Sequence, residues 1–85
     1  MQGQRPVKVE TWTAILRNLI RGDMEAGREH RLFNVYEMPD AEYEDADMFD
    51  RLLTSVLAEF GLEISFTRES MPPSYEVNYP LSRRS

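Results

Sequence analysis

The chain contains no cysteine, one histidine and four glycines in 85 residues. Without cysteine there is no disulfide framework, no thiol nucleophile and no Cys-ligated zinc, a pattern that fits a reducing compartment better than secretion. The one histidine, His30, lies between Glu29 and Arg31, which gives no His pair for zinc and no Ser-His-Asp arrangement, and points to a surface residue. No apolar run nears the roughly 18 residues of a membrane span, and Met1-Gln2-Gly3-Gln4-Arg5-Pro6 lacks the apolar core of a signal peptide. A cytoplasmic protein that does not enter a membrane is therefore expected. No alternating Asp pattern with a following glycine marks a calcium loop, and no cofactor motif is present.

Eighty-five residues are too few for two well-buried cores, so residues 1–85 are expected to form one domain, with frayed ends at about 1–5 and 82–85. A unit of this size has little room for the deep cleft that raises one carboxyl pKa for acid–base catalysis. Together with the missing motifs, this predicts a non-enzymatic protein without cofactor or metal.

Basic residues are also absent where they would matter most. Residues 1–36 carry six basic and four acidic groups, residues 37–50 carry seven acidic and none basic, and residues 51–85 carry four of each. The whole net charge of −5 thus arises in one short segment. Such a balance repels phosphate backbones and anionic membranes, so direct nucleic-acid binding is not expected.

Trp12, Ile15, Leu16, Leu19 and Ile20 recur at helical spacing and predict a helix over about 11–21, with Thr11 as N-cap and Gly22 as terminator. Arg21-Gly22-Asp23 spells an adhesion tripeptide, but Gly22 is better explained as that helix end and Asp23 as the turn residue after it. Residues 23–31 give only a weak polar helical continuation. Leu32-Phe33-Asn34-Val35-Tyr36 reads as a strand or extended segment, and Val7-Lys8-Val9 as a weaker one. Met48, Phe49, Leu52, Leu53, Val56, Leu57 and Phe60 form the apolar stripe of a second helix closed by Gly61. Its start is open between a cap at Asp40 and one at Asp45 or Asp47; the early start places Tyr43, Ala46, Phe49 and Leu53 on one stripe.

After Gly61 the period changes to two. Leu62, Ile64 and Phe66, then Tyr75, Val77, Tyr79 and Leu81, alternate with polar residues and predict an antiparallel hairpin around the 68–74 turn, with Pro80 favouring an edge position for the last strand. The sum is an α+β fold, two amphipathic helices on a small antiparallel sheet with a C-terminal β-hairpin, in the order α-(β)-α-β-β.

The aromatics fall mostly on predicted apolar faces, where core packing explains them; Tyr36 and Tyr43 instead bracket or enter the acidic segment. Carboxylates at a helix start cap free amides and favour the dipole, and one or two suffice for that. Seven exceed it, which leaves a solubilising face and a binding face as the two readings of the segment. On the binding reading, Tyr36, Asp40, Glu42, Tyr43, Glu44, Asp45 and Asp47 dock on a basic macromolecular partner, with carboxylates steering the encounter and aromatics supplying anchor area. A nucleic-acid-handling protein offers such a basic groove, and small phage or mobile-element inhibitors that mimic DNA have this composition by analogy. Two alternatives remain. One is a winged-helix DNA-binding regulator using Arg17, Arg21, Arg28, Arg31 and Arg68, which shares the element order but puts acids at the start of its recognition helix. The other is an accessory or assembly subunit. The positive Arg17, Arg21, Arg28 and Arg31 group opposite the acidic segment also allows a homodimer.

Overall fold

The computed structural model describes residues 4–80, with side chains from residue 8 onward. It is an α+β structure: helix α1 (Gln4–Ala26), strand β1 (His30–Asn34), two 3-10 turns (Val35–Glu37 and Tyr43–Asp45), helix α2 (Ala46–Glu59), and strands β2 (Phe66–Arg68) and β3 (Ser74–Asn78). The sheet is antiparallel in the order β1-β3-β2.

Helix α1 is about twice as long as the apolar stripe predicts. It absorbs Val7-Lys8-Val9, expected as a strand, and the first-turn residues Gln4 and Arg5, expected to fray; Thr11 lies inside it and caps nothing. Residues 1–3 and 82–85 of the expected frayed ends, and Leu81 of the last predicted strand, lie outside the described residues. At the other end α1 runs through Gly22 and stops at Gly27, whose φ of 75° is the left-handed turn that ends a helix. The cap has two bonds, Gly27 N–H to Met24 O (3.2 Å) and Arg28 N–H to Asp23 O (3.0 Å). Helix α2 closes in the same way, with Gly61 at φ 74°, Gly61 N–H to Ala58 O (3.0 Å) and Leu62 N–H to Leu57 O (2.9 Å). Both are Schellman ends, in which two orphan carbonyls gain donors. The prediction for Gly61 holds. That for Gly22 fails because a glycine inside a long helix is indistinguishable by pattern from one at its end.

One core joins the layers. Trp12, Leu16 and Ile20 of α1, Phe49, Leu53, Val56 and Leu57 of α2, and Phe33, Tyr75 and Val77 of the sheet are buried together, with Val35, Met38 and Tyr79 closing the edges. Phe49 is the hinge of this packing, edge-on to Trp12 (centroids 6.4 Å apart) and tilted against Tyr75 (6.0 Å). Such aromatic pairs add to the area they remove from water.

The sheet corrects two expectations. The last strand is central rather than at the edge, and Pro80 lies two residues beyond its end at Asn78, where it interrupts no ladder bond. The register sets Phe66 opposite Glu76 and Leu32 opposite Glu76, while Tyr75 and Val77 face the helices. Phe66 therefore shares the outer face with Leu32 and is 58% exposed. The cause is local. Ser65 N–H also reaches the Glu76 carbonyl (2.8 Å), so two successive residues meet one partner and the side-chain alternation slips between Ile64, which packs on the core, and Phe66, which does not. Leu62 and Ile64 accordingly lie outside β2.

The two helix-1 glycines give opposite expectations. A Cβ at Gly22 meets nothing within 4 Å, so Gly22→Ala in a helix interior stabilises by about 0.5–1 kcal/mol. Gly27→Ala forces a side chain into φ +75° and destabilises by about 1 kcal/mol. Urea unfolding of both variants reads the pair; a destabilised Gly22→Ala would return the helix end to residue 22.

Candidate functional site

The buried stripe of α1 has a charged residue at each end. Reading outward from Leu16, the spacing Lys8, Trp12, Leu16, Ile20, Asp23 follows one helical face. Asp23 is buried within the last turn, where the negative end of the helix dipole disfavours a carboxylate, so tertiary partners must hold it there. Arg31 of β1 grips both its oxygens, with Nη2 2.9 Å from Oδ1; the Tyr79 hydroxyl donates to Oδ2 at 2.7 Å, and Arg28 Nε lies 3.5 Å from Oδ1. Burial pushes the Asp23 carboxyl up, but the bonds from Arg31 and Tyr79 and the charges of Arg31 and Arg28 outweigh it and leave the group below its ordinary value. Burial and the same bond push Tyr79 well above the ordinary tyrosine range. Asp23 is thus neither a turn residue nor available for adhesion.

At the opposite end, Lys8 Nζ donates to Asp45 Oδ2 at 2.8 Å and lies 5.7 Å from the centre of the Trp12 ring. The bond to Asp45 raises the Lys8 pKa, burial opposes this, and the charges of Asp45, Glu42 and Asp40 add to the rise. Trp12 Nε1 donates to the Pro39 carbonyl at 3.0 Å. These contacts tie the acidic segment to α1. Within the segment Asp45 Oδ2 accepts from Glu42 N–H (3.0 Å) while Asp45 N–H donates to Glu42 O (2.9 Å), closing the turn that leads into α2. Helix α2 therefore starts late, at Ala46, and Tyr43 belongs to the 3-10 turn rather than to the α2 stripe.

The proposed docking residues divide accordingly. Asp45 is buried and turned inward. Tyr36 and Tyr43 are 55% and 53% exposed, on two turns that pack against each other. Asp40 sits exposed in a left-handed turn at φ 58°, a conformation that Asp and Asn tolerate better than other side chains. Glu42 and Glu44 are exposed and have no ion pair among the described residues, and Asp47 has a loose exposed pair with Arg51 (3.6 Å). One partner of this surface has no signal in the pattern: Met71, in the β2–β3 turn and 79% exposed, places its Sδ 3.5 Å from the Tyr43 hydroxyl.

Three of the four arginines expected to form a positive patch are engaged in intramolecular ion pairs. Arg17 makes two bonds to Glu59, at 2.8 and 2.7 Å, joining α1 to α2, and Arg28 and Arg31 serve Asp23. Among the described residues Arg21 and Arg68 have no carboxylate within ion-pair range. No group of three or more His, Asp or Glu residues among those described is arranged to hold a metal, and no described helix is long and apolar enough to cross a membrane.

Comparison with protein-family models, curated proteins and solved structures gave no match. The fold and surface thus define an acidic α+β protein by its own chemistry alone.

The buried cluster predicts a stability profile that falls at both extremes of pH. A depressed Asp23 pKa contributes stability that is complete above the ordinary value of 3.8 and is lost as pH falls through the lower folded value. A raised Tyr79 pKa contributes below the ordinary value of 10.0 and is lost as pH rises beyond it, and the buried Tyr75 adds to that limb. Denaturant unfolding across pH should show Asp23→Asn shrinking the acid limb, and Tyr79→Phe shrinking the alkaline limb together with the part of the acid limb that its bond to Asp23 supplies. Arg31→Met at neutral pH should cost about 1.5–3 kcal/mol, as for hydrogen bonds to a charged group.

Proposed function

We propose that this is a non-enzymatic interaction protein that docks on a basic macromolecular partner through Tyr36, Asp40, Glu42, Tyr43, Glu44 and Asp47. One observation carries the reading. Five of the described cations are engaged in ion pairs, Lys8, Arg17, Arg28 and Arg31 with carboxylates on other elements and Arg51 within α2, whereas Asp40, Glu42 and Glu44 have no ion pair among the described residues. Among the described residues the excess negative charge therefore stands on one side without ion-pair partners, next to two half-exposed tyrosines. Such a surface steers basic partners by charge and holds them by aromatic area. The partner class favoured is a nucleic-acid-handling protein, whose phosphate-binding groove the carboxylates occupy as a DNA mimic and inhibitor would; the cytoplasm is the compartment in which the two meet.

The test compares wild-type protein with a variant carrying Asp40→Asn, Glu42→Gln, Glu44→Gln and Asp47→Asn in capture from host lysate. Asp45 stays, because it pairs with Lys8 inside the fold, and Asn suits the left-handed backbone at Asp40. The expected result is a nucleic-acid-binding protein retained by the wild type, lost with the variant, and displaced by duplex DNA. Equal retention by both folded proteins removes the proposal.

The element order α-β-α-β-β also supports a winged-helix DNA reader as a second reading. Its phosphate contacts would have to come from Arg21 and Arg68, since Arg17, Arg28 and Arg31 already hold carboxylates. Duplex binding that weakens steeply with salt would favour it, and no binding at low salt would discard it.

A further inference from the structure

Resting on the docking reading above, we propose that Tyr43 and Met71 are the apolar centre of the docking surface, and that its occupant is an amphipathic basic segment of a protein, an apolar side chain flanked by Lys or Arg. The two residues come from turns 28 positions apart and meet at the Tyr43 hydroxyl and Met71 sulfur, 3.5 Å from each other. Both remain largely open to solvent. Methionine is flexible and polarisable, and adapts to varied apolar partners, while tyrosine offers a rigid ring with a polar rim. Around this spot the chain supplies Glu42 and Glu44 on either side of Tyr43, with Asp40 and Asp47 beyond, none of them in an ion pair with another element among the described residues.

Charge selects among occupants. A second copy meeting this patch across a two-fold axis would set Glu42 and Glu44 against themselves, a like-charge arrangement that opposes association. A nucleic acid is repelled outright. Of the other exposed aromatics among the described residues, Tyr36 stands on the turn packed against that of Tyr43, whereas Phe66 lies opposite Glu76 with Arg68 two residues along the same face, so it has no rim of one sign. An apolar residue framed by cations is what complements the Tyr43–Met71 surface.

Two short synthetic peptides with equal numbers of lysines test this, one with serines between them and one with leucines on one helical face, titrated at low ionic strength against the full chain. The leucine peptide should bind about tenfold more tightly, the effect of burying one leucine side chain. Tyr43→Ser with Met71→Ser should abolish that advantage while leaving the serine peptide's affinity unchanged, and Phe66→Ser should leave both unchanged; thermal melts confirm that each variant is folded. Equal affinity of the two peptides overturns the apolar centre and leaves basic docking intact. An advantage that survives in the Tyr43/Met71 variant, or that disappears in Phe66→Ser, also overturns it by locating the contact elsewhere. Binding of neither peptide overturns the docking reading itself. A dimer in sedimentation that Met71→Ser dissolves would replace the basic segment with a second copy.

Discussion

The carboxylate of Asp23 is the constraint around which the architecture is arranged. It lies on the buried face of α1, in a turn where the helix dipole opposes it, and is held by Arg31 from β1, Arg28 from the loop between them, and Tyr79 from the residue after β3. An unpaired charge at that depth would cost several kcal/mol, so the helix end, the first strand and the last strand must arrive together. The same residue's carbonyl accepts the Arg28 amide in the Schellman cap. Side chain and backbone of one position thus fix both where α1 stops and where the sheet begins.

At the other end of the stripe, Lys8 performs the complementary task for the acidic segment. Asp45, drawn inward, joins the turn before α2 to α1, and the Trp12 indole holds the Pro39 carbonyl beside it. Local helix electrostatics would put an acid near the N-terminus of α1 and a base near its C-terminus. The opposite placement of Lys8 and Asp23 shows that interhelix and helix–sheet pairing dominates. Cations drawn into these contacts leave the remaining carboxylates of residues 37–50 as the surface excess, so internal stability and external charge have one origin.

The acidic–aromatic surface has a composite origin too. Its carboxylates and Tyr43 come from one continuous stretch, Tyr36 stands on the turn after β1, and Met71 arrives from the β2–β3 connection. A contact of this kind is carried by a few partly exposed, adaptable side chains, and the charged rim contributes mostly to encounter and selectivity.

Hydrophobic periodicity made both helices, the core residues Trp12, Leu16, Ile20, Phe49, Leu53, Val56 and Leu57, the strand at Phe33 and the α+β class legible from the sequence, because apolar burial imposes a repeat of 3.6 or 2 on the chain itself. The uneven charge was legible directly, and Tyr36 and Tyr43 stood out because they bracket or enter the acidic segment, although an early start of α2 would have put Tyr43 on its apolar stripe. The ends of α1 were not, because its first two turns and its last carry little apolar repeat. Asp23 and Lys8 stood at stripe positions, a signal that a polar residue on an apolar face always gives, but their partners are 8 and 37 residues away. The slip at Ser65 that turns Phe66 outward, the central place of β3, the inward turn of Asp45 and the meeting of Met71 with Tyr43 were decided only in three dimensions. Each depends on which strand or turn lies opposite, and pairing across space leaves no period along the chain.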